Sequence, residues 1–97
     1  MALKFSPQAV ADIRVAVAWW TANRPAAPAL LREELREAFR VLADHPRMGA
    51  MALESSAQGI RRLFLRGTRY FVYYSVHNGD VEVLRIWHAS RGTGPAL

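Results

Sequence analysis

His88 anchors the only cluster in this sequence that joins a general acid or base candidate to cations: Arg91 follows three residues later, and Tyr70, Tyr73 and Tyr74 lie on the preceding strand-like run. RNA cleavage through the 2′-hydroxyl needs a base to activate that oxygen, a cation for the charged phosphorane and an acid for the leaving oxygen. His88, Arg91 or Arg69, and a Tyr carry the groups for those three roles. A His at a strand end beside Trp87 also has an ordinary structural use, as a hydrogen-bonding residue that holds a turn. Around this cluster, Arg61, Arg62, Arg66, Arg69, Arg85 and Arg91 are all the cations of residues 59–97. Their guanidinium forks suit bidentate contact with carboxylate or phosphate and stacking on rings. With Trp87 and His88 they make up the candidate surface for a partner or target.

Composition narrows the field. The chain has 97 residues, 52% of them apolar, enough for one core and one domain. Four of the five net positive charges fall in residues 59–97. With no Cys and only three scattered His, disulfides, thiolate sites and nucleophilic Cys drop out, and neither a metal nor another cofactor is expected. Lys4, Asp12, Arg14 and Arg24 interrupt any membrane span in the N-terminal third. No basic n-region precedes an unbroken apolar run, so the chain reads as cytoplasmic.

The elements that must position these side chains follow from periodicity. A short apolar-leaning run ends at Ser6-Pro7, an N-cap followed by a residue suited to the first helical position. Val10, Ile13, Val17 and Trp20 then give one helical stripe, closed before Pro25. A second helix, starting near Pro25 to Pro28 and running to about Asp44, should bury Leu31, Leu35, Ala38 and Leu42. Its outer face pairs Glu33 with Arg36 and Glu37 with Arg40, the pattern of a solvated face. From His45 to Gly59 no period is visible, which reads as a binding-sized loop. Beyond it, 60–65, 69–77 and 81–88 read as strands, joined by Arg66-Gly67-Thr68 and by the hairpin signal Asn78-Gly79. The tail, 89–97, is turn-rich.

The expected architecture is α+β in two layers: an N-terminal strand, a helical hairpin over about 7–45, then a three-stranded antiparallel meander over about 60–88. One sheet face takes the helices and the other stays open, with basic and aromatic side chains on it. Arg61 and Arg62 are adjacent and must point to opposite faces.

In this order of elements, Ser6-Pro7-Gln8-Ala9, His45-Pro46-Arg47-Met48-Gly49, Ile60-Arg61-Arg62-Leu63, Tyr73-Tyr74-Ser75-Val76 and Leu84-Arg85-Ile86-Trp87-His88-Ala89-Ser90-Arg91-Gly92 make the sequence resemble the RelE/ParE superfamily of type II toxin–antitoxin toxins over nearly its whole length. The strand ending in Arg-hydrophobic-hydrophobic-His resembles the ParE branch in particular. That branch implies a non-enzymatic inhibitor of DNA gyrase. The RelE branch implies a ribosome-dependent endoribonuclease acting on messenger RNA through Lys, Arg and Tyr. Arg91 falls where RelE-like chains carry a catalytic Arg, and Arg69 lies near another. Their paired Lys are replaced here by Arg61 and Arg62, and no Tyr follows Arg91. Arginine, with a pKa above about 12, binds phosphate well and abstracts protons poorly. The resemblance therefore implies a gyrase inhibitor first, with the endoribonuclease or a degenerate, non-toxic binding module as alternatives. It also implies a cognate antitoxin, whose acidic, partly disordered segment a basic groove would order on binding. Operator binding would be the antitoxin's task, so direct DNA binding is not expected of this chain alone.

Overall fold

The computed structural model describes residues 2–53, 55 and 57–97; within the expected loop, Glu54 and Ser56 lie outside the described residues. The elements are β1 (Leu3–Phe5), α1 (Pro7–Asn23), α2 (Leu30–Asp44), β2 (Ala50–Met51), β3 (Ile60–Leu65), β4 (Tyr70–His77) and β5 (Asp80–His88), followed by a single 3-10 turn, Ala89–Arg91. The α+β architecture is as expected, with the strands in the order β1-β5-β4-β3-β2. β1 lies beside β5 and parallel to it, with Leu3 opposite Val81 and Phe5 opposite Val83. Among the described residues no helix is long and apolar enough to cross a membrane.

Ser6 does two jobs at the start of α1. Its Oγ accepts the Ala9 N–H (3.0 Å) as an N-cap and donates to the Leu84 carbonyl (2.8 Å), so the helix begins fastened to β5. At the other end the Arg24 N–H closes on the Trp20 carbonyl, and Trp20 Nε1 donates to the Ala27 carbonyl at 2.8 Å. α2 buries Leu31, Leu35, Ala38 and Leu42 at spacings of four, three and four, as the periodicity predicts. α1 departs from expectation: Val10 is exposed, and the inward stripe runs through Ala9, Ile13, Ala16, Val17 and Trp20. Ala9 and Ala16 are buried in the core, a placement that apolar bulk alone does not reveal.

The expected loop also holds a strand. Ala50 and Met51 pair antiparallel with Arg62 and Arg61, a ladder too short to leave a period in the sequence. Gly49 makes it possible. Its N–H donates to the Tyr74 hydroxyl (2.8 Å), and a Cβ there would stand 2.7 Å from both that oxygen and the Arg62 carbonyl.

One irregularity sets which way the last strand faces. Tyr73 pairs with Arg85 and Tyr74 with Val83, leaving Leu84 as the extra residue of a β-bulge. The parity of inward residues therefore switches, from Val81 and Val83 before the bulge to Ile86 after it. Trp87, opposite Phe71, consequently faces away from the helices, and His88, opposite Tyr70, faces their side.

Candidate functional site

Alternation divides the sequence-predicted residues between the two faces. Arg62 points away from the helices, and its guanidinium lies 4.5 Å from the Phe71 ring centroid. Phe71 packs against Phe64 at 4.9 Å and Tyr73 at 6.0 Å. Trp87 carries the Arg91 guanidinium at 3.5 Å and that of Arg85 at 5.1 Å. The outcome is a field of rings with guanidiniums laid over them, enclosing a hollow of about 440 Å³ among Arg62, Phe71, Tyr73, Trp87 and the tail. Arg66 and Arg69 sit exposed on the β3–β4 turn, with Arg69 5.9 Å from the Phe64 ring.

This face is not fully open, contrary to expectation. After the 3-10 turn, Gly92 takes a left-handed conformation (φ 80°) and the chain returns across the sheet. Trp87 Nε1 donates to the Thr93 carbonyl at 2.9 Å, Pro95 is buried, and Leu97 joins a second apolar cluster with Ala52, Ile60, Tyr73, Phe71, Leu84 and Trp87. So much apolar surface on an uncovered face gathers the nearest chain available.

Arg61 and His88 belong to the other side. Arg61 Nη1 donates to the Gly49 carbonyl at 2.8 Å and so clamps the segment before β2. The His88 ring stands edge-on to Tyr70, with centroids 4.7 Å apart. Its Nδ1 accepts the Ser90 N–H (3.1 Å) and lies 2.7 Å from the Ser90 Oγ, while Nε2 meets the Thr68 carbonyl at 3.1 Å. A carbonyl only accepts and an N–H only donates, so this network assigns the proton to Nε2. Both ring nitrogens are therefore engaged in holding the turns around them. The three tyrosines separate as well: Tyr70 and Tyr74 are buried on the helix side, Tyr73 on the opposite face. Burial pushes the Tyr70 and Tyr74 phenols above their ordinary range, opposed in Tyr70 by Arg24 and in Tyr74 by the Gly49 N–H and Arg61.

Two carboxylates absent from the sequence-based site turn out to hold it in place. Asp12, on α1, accepts Arg85 Nε (2.8 Å), Arg85 Nη2 (3.2 Å) and the Ile86 N–H (3.0 Å), closing the stretch of β5 that β1 is too short to cover. Hydrogen bonding to Asp12 also raises the Arg85 pKa. Glu34, on α2, accepts the consecutive N–H groups of Gly67 (2.7 Å) and Thr68 (2.8 Å), fixing the turn that carries Arg66 and Arg69. Neither leaves a sequence signal, because each partner is 33 or more residues away. The rings of Phe64, Phe71 and Tyr73 were legible in principle from alternation along β3 and β4. Among the described residues no three His, Asp or Glu side chains converge as a metal site.

The sequence pattern of the family described as "ParE toxin of type II toxin-antitoxin system, parDE" matches residues 3–92. This chain belongs to that family. Solved structures agree at the level of fold. The chromosomal ParDE system of P. aeruginosa superposes with a TM-score of 0.73 at 22% identity, over 91% of this chain and 95% of the other. The intact E. coli RelBE toxin–antitoxin complex gives 0.60 at 18% identity, over 91% and 95%. The isolated E. coli RelE toxin gives 0.60 at 21% identity, over 91% and 83%. No curated protein is similar enough in sequence to count as a relative. In this ParE-family chain, then, the arginines over rings on the tail-covered face are the candidate site.

Proposed function

We propose that this ParE-family toxin inhibits DNA gyrase by binding it, through the guanidinium-and-ring face of the sheet, and that a cognate acidic antitoxin neutralises it. The observation that carries this reading is the state of His88: the one base candidate among the cations spends both ring nitrogens on Ser90 and Thr68. What remains on the sheet face is Arg62 over Phe71 and Arg91 over Trp87, while Arg85, also near Trp87, is held by Asp12. Guanidiniums over rings recognise carboxylates, phosphates and planar groups, and are poorly suited to abstracting a proton. Arg69, on the neighbouring turn and 5.9 Å from the Phe64 ring, extends the same surface. The match to the parDE toxin family points the same way, and the structural neighbours, a ParDE system and a RelBE toxin–antitoxin complex, support an antitoxin partner.

The deciding experiment is gyrase supercoiling with the purified protein. Supercoiling should stop at near-stoichiometric toxin and recover when the cognate antitoxin is added. Unimpaired supercoiling, together with new codon-linked messenger RNA ends after induction, would replace this reading with ribosome-dependent cleavage. In that case His88→Ala or Arg91→Ala should abolish the cuts.

A further inference from the structure

Arg69 sits in a backbone conformation that its residue type does not favour. Among the described residues two non-glycines have positive φ, Asn78 at 52° and Arg69 at 66°. Asn78 opens the Asn-Gly hairpin, where a short polar side chain tolerates the left-handed region. An arginine has no such side chain to offset the clash of its Cβ with the backbone. A residue strained in this way persists only where its surroundings over-determine it, and such residues gather at binding sites.

The turn 66–69 is held from two sides. From α2, the Glu34 carboxylate accepts the Gly67 and Thr68 N–H groups at 2.7 and 2.8 Å, so close that a Cβ on Gly67 would stand 2.9 Å from its Oε2. From the end of β5, His88 Nε2 donates to the Thr68 carbonyl at 3.1 Å, and the Ala89 N–H donates to the Arg69 carbonyl at 2.8 Å. Thr68, buried in the turn, is therefore gripped through both its N–H and its C=O. The Arg69 N–H closes on the Leu65 carbonyl at 2.7 Å. What this clamp presents is a side chain. Arg69 is exposed, its guanidinium lies 5.9 Å from the centroid of the exposed Phe64 ring, and among the described residues no carboxylate pairs with it.

Glycine would fit this turn without strain, as Gly59, Gly79 and Gly92 do at the other left-handed positions. The chain keeps a long cationic side chain there instead. We propose that Arg69 is an affinity-determining contact with the target, and that Glu34 and His88 are positioning residues that hold its strained turn so that the guanidinium stands beside Phe64. The inference rests on the gyrase reading above and deepens it, naming the residue that this face commits to its target and the two that aim it.

The test is inhibition of gyrase supercoiling by the full-length variants, with circular dichroism melts beside it. Arg69→Gly should raise the melting temperature and yet weaken inhibition about tenfold, as loss of a central arginine contact does. Glu34→Gln, which keeps one acceptor of two, should weaken it several-fold. His88→Asn, which retains an acceptor for the Ser90 N–H and loses the reach to Thr68, should do the same, while His88→Gln keeps a donor near the Thr68 carbonyl and should restore most of the inhibition. Added to Arg69→Ala, Glu34→Gln should change nothing beyond about twofold, because a positioning residue acts through the one it positions. Arg36→Ala, on the exposed face of α2, should stay within about twofold of wild type. If Arg69→Gly inhibits like wild type, Arg69 is not the contact and the proposal is wrong, although the gyrase reading stands. If Glu34→Gln weakens inhibition equally with and without Arg69, its role is structural and the clamp is refuted. If wild type leaves supercoiling untouched, the gyrase reading falls and the contact with it. Arg69→Gly keeps the test decisive should a clamp variant fail to fold.

Discussion

Asp12→Ala is the most informative single substitution, because one carboxylate holds the C-terminal half of β5 to α1. Three donors lose their acceptor at once: Arg85 Nε at 2.8 Å, Arg85 Nη2 at 3.2 Å and the Ile86 N–H at 3.0 Å. The side chains of Arg85 and Asp12 are 25% and 16% exposed, so water can re-solvate the guanidinium in part but reaches the strand N–H less easily. A charge-assisted hydrogen bond contributes about 1.5 to 3 kcal/mol, and an orphaned buried donor costs about 1 to 3 kcal/mol. Allowing for partial solvation, the expected loss is about 2 to 4 kcal/mol. For a domain of this size that is a fall in Tm of roughly 10 to 25 °C. Arg85→Ala should cost less, about 1 to 2 kcal/mol, because the Ile86 N–H keeps its acceptor. The double variant should resemble Asp12→Ala, giving a coupling above about 1 kcal/mol in a double-mutant cycle. Urea unfolding of the four proteins measures all of this. A loss below about 0.5 kcal/mol for Asp12→Ala would refute the claim that this carboxylate closes the uncovered edge of β5.

Three further outcomes follow from local geometry. Gly49→Ala must move either the Arg62 carbonyl or the Tyr74 ring, both 2.7 to 2.8 Å from the added Cβ; an unfolding loss of about 1 to 3 kcal/mol is expected, read by urea titration. Arg69→Gly relieves a non-glycine residue held at φ 66° and should stabilise by roughly 1 kcal/mol, with the Tm rising accordingly. Burial raises the Tyr70 and Tyr74 phenol pKa values, so the unfolded chain releases those protons first as pH climbs. The stability they contribute is complete below about pH 10 and lost above it, and Tyr74→Phe should make the alkaline decline in Tm shallower.

The one-dimensional pattern carried a good deal. Ser6-Pro7 marks the start of α1, the spacing of Leu31, Leu35, Ala38 and Leu42 defines the buried side of α2, and Asn78-Gly79 marks the β4–β5 hairpin. All of these are local, since caps, turns and helical faces are written within a few residues of where they act. The adjacency of Arg61 and Arg62 was enough to send them to opposite faces. The reading failed where the cause was distant. Val10 is as apolar as its neighbours yet exposed, because the buried side of α1 runs through Ala9 and Ala16 instead. β2 exists because Gly49 slips under the Tyr74 hydroxyl, 25 residues away.

The functional cluster shows the same division. From the sequence alone came the family resemblance, the basic C-terminal part and the set of arginines near rings, because residue type and order are intrinsic to the chain. Tertiary structure alone decided which of those arginines share a face. The bulge at Leu84 reverses the parity of β5, sending Trp87 to the ring-lined side and His88 to the helix side, where Ser90 and Thr68 take both its nitrogens. A strand's side-chain period is two, so one inserted residue exchanges the faces of everything beyond it, and no local pattern records an insertion defined by the pairing of two strands.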